Sequence, residues 1–147
     1  MARTLAARLN ANRPAALTAF RVMFGLLFLC HGLSTVFGWP ANHTVPVGQW
    51  PGYYAGLIEL VTGLLITVGL FTQGAAFLAS GEMAFAYFTV HLPHGFLPIN
   101  NHGEASVMYC FAFLLLVFVG GGAYALDDHR GRWQSGFRRN PRLPRRR

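Results

Sequence analysis

YYAGLIELVTGLLITVGLFTQGAAFLASGEMAFAYFTVHL, residues Tyr53–Leu92, holds two apolar runs joined at Phe71-Thr72-Gln73-Gly74. The first runs from about Tyr53 to Phe71 and the second from about Gln73 to Leu92. At ~1.5 Å per residue, each is long enough to cross a hydrocarbon core of ~30 Å. Lipid offers the backbone no hydrogen bonds, so spanning segments of this length are helices. The turn between them is very short, which predicts an antiparallel helical hairpin. Neither run contains Lys or Arg, and each carries one carboxylate, Glu59 or Glu82.

Two further runs flank this hairpin, about Ala15–Phe37 before it and about Glu104–Leu126 after it. Gly38, Pro40, Pro46, Gly48, Pro51 and Gly52 break the chain ahead of the hairpin. Pro93, Gly95, Pro98, Asn100, Asn101 and Gly103 break it behind. Gly120-Gly121-Gly122 loosens the end of the fourth run, and Asp127-Asp128 is expected to close it. The fold class expected is all-α, a four-span transmembrane helix bundle. Gly25 and Gly32, Gly56 and Gly63, and Ala75, Ala79 and Ala84 would let its helices approach closely.

Charge agrees with a membrane setting. Between Arg21 and Asp127 the formal charges are Glu59, Glu82 and Glu104 alone. The net charge of +7 comes from arginines near the two ends, and the chain has no lysine. Charged residues make up 12% of the chain, about half the share usual in soluble proteins. Both tails are basic and both long loops lack Lys and Arg, so the bundle is expected N-in/C-in. The first run follows arginines as a signal peptide would, but its length and the absence of a small-x-small cleavage site make it a retained span. Residues 1–14 then form a basic cytoplasmic segment, 15–128 the membrane domain, and 129–147 an arginine-rich cytoplasmic tail. Without interleaved aromatic platforms these tails suit an anionic leaflet rather than nucleic acid.

Ionisable groups inside a span are costly, which makes them the first candidates for function. Counting from span ends puts Arg21 and Glu82 at similar depth near one side, and an Arg21–Glu82 ion pair is expected. His31 and Glu59 match in depth near the other side. Arg21, His31, Glu59 and Glu82 are therefore the candidate intramembrane ligand site, with register-locking pairs as the structural alternative. His91, Asn101 and Glu104 are expected to shape its outer mouth, with His43, His94, Asn100 and His102 nearby. The His91-x-x-His94 and His102-x-Glu104 spacings match no recognised metal signature, and no metal is assigned. Glu104 also suits the positive end of the fourth helix.

Cys30 and Cys110 fall at one depth, which permits a redox pair; inert buried thiols are the alternative. Trp39, Trp50, Tyr53 and Tyr54 suit an interfacial belt. Phe85, Tyr87, Phe88, Phe96 and Phe111 are either walls for a flat apolar ligand such as a quinone or ordinary filler.

One string goes further than composition. Glu59-Leu60-x-x-Gly63-x-Leu65-x-x-x-Gly69-Leu70-x-Thr72 is followed by Met83-x-x-Ala86-Tyr87. Then come His91-Leu92-Pro93-x-Gly95-Phe96-x-Pro98-x-x-Asn101-x-Gly103-Glu104. This pattern, with Arg21 and His31-Gly32 in the first run, resembles the DoxX family of small bacterial membrane proteins over about residues 15–128. The resemblance implies a four-span, multi-pass protein of the inner (plasma) membrane. It also implies redox work: relatives include a small subunit of thiosulfate:quinone oxidoreductase and a membrane partner of superoxide dismutase and a sulfurtransferase.

The function expected is a membrane subunit or scaffold of a redox or oxidative-stress assembly, quinone-linked, with no autonomous catalysis. Glu59 or His31 would handle the proton of a bound quinone, and Arg21 would stabilise negative charge. The chain has no nucleotide loop, haem-attachment motif or iron–sulfur cysteine set. A small solute or proton carrier or channel is the alternative, and a purely structural docking protein is a third reading.

Overall fold

The computed structural model describes residues 2–128, and every regular element among them is helical. Helix α1 is Ala2–Phe37, α2 is Gly52–Val68, α3 is Thr72–Ala86 and α4 is Glu104–Val119. A π-helical turn, Tyr87–His91, and a 3₁₀ turn, Leu92–His94, carry α3 onward. The arginine-rich segment 129–147 lies outside the described residues.

Three boundaries differ from the sequence reading. Helix α1 begins at Ala2 rather than near Ala15, because the preceding segment is rich in Ala, Leu and Arg, all strong helix formers. Pro14 sits inside this helix, and the Thr18 hydroxyl donates to its carbonyl at 3.0 Å. Helix α4 stops at Val119, not near Leu126, because Gly120 and Gly122 adopt φ of 76° and 80°, a left-handed backbone that ends the helix. The third span is not one uniform α-helix, since Pro93 lacks the N–H needed to continue it.

The expected hairpin forms. Gly69, at φ 75°, ends α2 with its N–H on the Leu65 and Ile66 carbonyls, and Leu70 N–H also reaches Leu65. Helices pack as α1 on α2, α2 on α3 and α3 on α4, while the α1 and α4 backbones stay apart and are joined by aromatic side chains, Phe28 meeting Tyr109 and Phe113. The α1–α2 contact is backbone on backbone: a Cβ on Gly63 would lie 2.5 Å from the Leu29 nitrogen, and one on Gly25 2.6 Å from Thr67 Oγ1. A Cβ on Gly32 would strike Leu60, and one on Gly56 would strike Thr35. Both expected glycine pairs therefore serve close approach.

The core contains Phe28, Ile66, Ala75, Ala76, Ala79, Met83, Phe113 and Leu116. Larger apolar side chains point outward on all four helices, among them Met23, Val61, Phe77 and Phe118. One helix, over Leu5–Phe37, is long and apolar enough to cross a membrane; α2 and α4 are apolar but shorter, at 17 and 16 residues.

Candidate functional site

The bundle has two ends: a hairpin end at the Gly69–Phe71 turn, and a loop end formed by the 38–51 and 95–103 connections. At the hairpin end Arg21 is 1% exposed. Its Nε donates to the Gly121 carbonyl at 2.8 Å, and its Nη1 donates to the Ile66 and Thr67 carbonyls at 2.5 Å each. Gly69 makes room for it, since a Cβ there would lie 2.9 Å from the guanidinium carbon.

Asp127 stands beside Arg21 in the electrostatic field of this end. Its two carboxylate oxygens accept from Phe71 N–H at 2.9 Å and Thr72 N–H at 2.8 Å, capping α3. The expected Arg21–Glu82 ion pair is not formed. Arg21 is committed to carbonyls at the C-terminal end of α2, whereas Glu82 lies ten residues beyond Thr72, about 15 Å along α3. Asp127, expected to close α4, serves α3 instead.

The loop end is arranged differently. Where α1 and α4 part, a cleft of about 200 Å³ opens, lined by His31, Glu59, His91, His102, Ser106 and Tyr109 over walls of Phe28, Met83 and Ala105. The His31–Glu59 match in depth thus becomes a shared cavity. Five helical elements and one loop residue contribute: α1 supplies Phe28 and His31, α2 Glu59, α3 Met83, the π turn His91, α4 Ala105, Ser106 and Tyr109, and the loop before α4 His102. The His31 ring meets Tyr109 edge-on at 5.8 Å, and Tyr109 stacks on Phe113 at 5.7 Å and leans on Phe28 at 5.4 Å. This aromatic stack fixes Tyr109 as one wall.

Asn101 holds the cleft from outside. It is 4% exposed; its Nδ2 donates to the Gly95 carbonyl at 2.6 Å, and its Oδ1 accepts from Gly103 N–H at 2.8 Å. Its carbonyl lies 3.1 Å from His91 Nδ1. A carbonyl only accepts, so Nδ1 carries a proton, and in the neutral ring Nε2 is then the acceptor. A Cβ on Gly103 would lie 2.9 Å from the Cβ of His91, so glycine lets the loop press on the π turn. Glu104 is exposed at the first turn of α4 and does not line the cleft.

Glu82 faces the opposite flank, in a groove between α2 and α3, within electrostatic range of Glu59. Of the expected apolar walls, Phe85 lines this groove though about half exposed, Tyr87 donates its hydroxyl to the Phe96 carbonyl at 2.6 Å, and Phe88, Phe96 and Phe111 are exposed. Cys30 and Cys110 are free thiols rather than a bonded pair, and Cys110 Sγ sits 3.6 Å from Ser80 Oγ between α3 and α4. Among the described residues, no three His, Cys, Asp or Glu side chains converge to hold a metal ion.

Tyr109 and Ser106 are site residues that sequence reasoning missed, and His102 was placed only near the mouth. The one available signal was a tyrosine well inside an apolar run rather than at its edge.

A sequence model of the DoxX family matches residues 16–92. A protein of Haemophilus influenzae described as uncharacterized is 40% identical over 126 residues, covering 82% of this chain and 94% of its own length. No solved structure matches the chain. The chain belongs to the DoxX family.

Proposed function

We propose that this DoxX-family chain is a four-span membrane protein, N-in/C-in, serving as subunit or scaffold of a quinone-linked oxidoreductase assembly. The cleft between α1 and α4 is its site for the quinone headgroup. The observation that carries this reading is the lining of that cleft: hydrogen-bonding side chains from four elements set against Phe28 and Met83.

Size and chemistry both suit the headgroup. A dry cavity of ~150 Å³ accepts benzene, so about 200 Å³ accommodates one substituted ring. A headgroup with two opposed oxygens needs donors and acceptors on an apolar floor, which is the mixture present. When bound, a quinone supplies two-electron, two-proton exchange with the membrane pool. The Tyr109 hydroxyl and the His31 and His102 imidazoles would donate to its oxygens. Glu59 and His91 Nε2 would accept and hold protons, and Phe28 and Met83 would exclude water. Arg21 and Glu104 have no part in this site.

The membrane arrangement is supported by the many outward-facing Met, Leu, Val and Phe side chains on all four helices, while Arg21, Ser34, Thr62, Thr72 and Ser80 are buried beside core residues such as Phe28, Ile66 and Phe113. In water such a distribution would expose more apolar surface than a soluble monomer carries. Gly122 lies against Thr18 and Pro14, so residues 120–128 leave the bundle at the same end as the start of α1, as an even number of spans requires. A superoxide dismutase and a sulfurtransferase belong to the proposal as soluble partners, and anionic lipid as the surface under the basic tails.

The test is organic-solvent extraction of gently purified protein, reading quinone by its ultraviolet spectrum. Stoichiometric quinone that disappears in Glu59→Gln and Tyr109→Phe is the expected result. Quinone no higher than the co-purifying lipid background in the unaltered protein would overturn the redox reading.

A further inference from the structure

The groove on the opposite flank from the cleft poses a separate chemical question. Oε2 of Glu82 is buried there and has no hydrogen-bond partner. The chain contains no lysine, and Arg21, the buried arginine among the described residues, is spent on three carbonyls at the hairpin end. A second carboxyl, Glu59, lies within electrostatic range. Among the described residues the two carboxylates at mid-bundle thus have no cation between them, and a cation in the groove is what would favour their ionised form.

The walls around Glu82 narrow the choice of what that is. The groove, about 150 Å³, is lined by Trp50, Tyr54, Ile58, Phe85 and Thr89 as well as Glu82. It adjoins a hollow of about 270 Å³ that shares Trp50, Ile58, Glu82 and Phe85. Trp50 is the hub: its ring centroid lies 5.8 Å from Tyr54 and 6.3 Å from Phe85, at interplanar angles of 50° and 65°. Three tilted rings present several π faces, whose negative quadrupoles attract cations. Hard inorganic cations require six or more oxygens, and this lining offers too few. An anion would meet Glu82, and a neutral polar molecule would leave its carboxylate uncompensated.

We propose that the α2–α3 groove binds a small organic cation, an amine or quaternary ammonium carrying an apolar group, with Glu82 as counter-ion and Trp50, Tyr54 and Phe85 as an aromatic cage. The ammonium sits by the carboxylate and rings, and the apolar part extends into the adjoining hollow along Phe77 and Leu78. This site shares no lining residue with the quinone cleft; Glu59 and Glu82 link the two electrostatically, and cation binding is read through Trp50 rather than through quinone content.

The test uses the full chain in a neutral maltoside detergent, titrated with benzyltrimethylammonium and followed by tryptophan fluorescence. Neopentylbenzene, its uncharged isostere, is the competitor. Saturable binding of the cation is expected, with no displacement by the isostere and an affinity at least about tenfold weaker in Glu82→Gln. Equal competition by the isostere, or unchanged affinity in Glu82→Gln, would reduce the groove to a greasy surface and overturn the proposal. The comparison of the two probes needs no variant, so a misfolded Glu82→Gln leaves the outcome decisive. Added phosphatidylethanolamine separates two sources of the same chemistry. Displacement by it but not by phosphatidylglycerol identifies a lipid ammonium as the occupant, and displacement by neither identifies a water-borne amine.

Discussion

Arg21 and Glu82 are both charged side chains placed inside a helical bundle, and the molecule treats them in opposite ways. At the hairpin end the guanidinium is hydrogen-bonded to three carbonyls, with Asp127 beside it. Asp127 in turn is bonded to two backbone N–H groups. Toward the loop end, Glu82 keeps an unpartnered oxygen, and Glu59, His31 and His102 face a cleft. A buried charge whose hydrogen-bonding capacity is used by the backbone is a structural joint. A polar group left open beside a cavity is the better candidate for binding a ligand.

The sharpest way to break this contrast is Arg21→Met. Three carbonyls on two chain segments, that of Ile66 buried and those of Thr67 and Gly121 partly buried, would lose their donor, and the loss should cost about 3–5 kcal/mol, as when one partner of a buried charged network is removed. Thermal unfolding in detergent is the measurement, alongside quinone content and cation affinity of the folded fraction. Both binding readouts should stay as in the unaltered protein. A variant of undiminished stability that has lost its ligand would return Arg21 to a binding role and end the division between the two regions.

Asn101→Ala tests whether the loop end has a joint of its own. It removes the side-chain bonds to Gly95 and Gly103, and should cost about 1–3 kcal/mol. Because those side-chain bonds hold the loop whose Asn101 backbone carbonyl orients His91, quinone retention should fall together with stability. At the hairpin end Asp127→Ala removes the α3 cap, worth about 1 kcal/mol, together with a negative charge near Arg21. Its signature is local: faster hydrogen exchange at the Phe71 and Thr72 amides, with ligand content untouched. If Asp127→Ala cost more than Arg21→Met, the arginine would be the lesser member of that joint.

Much of the helical plan was readable because it rests on local chemistry. Gly69 and the short turn after it specify the hairpin, and Gly25, Gly32, Gly56 and Gly63 mark the face on which α1 meets α2. Depth counting joined His31 to Glu59 but misjudged Arg21 and Glu82. Height along a helix leaves its facing direction open, and α1 also extends further back than its apolar run. Tyr109 was obscured by its company, since an aromatic among apolar residues reads as filler until a histidine is seen against its edge. The Asp127 cap joins residues 55 and 56 positions apart. It depends on the chain reversal at Gly120–Gly122, which no periodic pattern announces.

The smallest stability change should come from the residues most tied to function. Glu59→Gln and Glu82→Gln each replace a carboxylate with a neutral group of nearly the same shape, and no protein cation is orphaned by the change. Each should therefore fall within about 1 kcal/mol of the unaltered protein, or slightly above it in stability, because an uncompensated buried charge is itself a cost. Their binding phenotypes should nevertheless be complete and distinct, with quinone lost in the first and cation affinity lost in the second. Paired melting and binding measurements on the two variants decide the matter. If either unfolded as readily as Arg21→Met, that carboxylate would have a structural partner at the loop end, and the two regions would differ in position but not in kind.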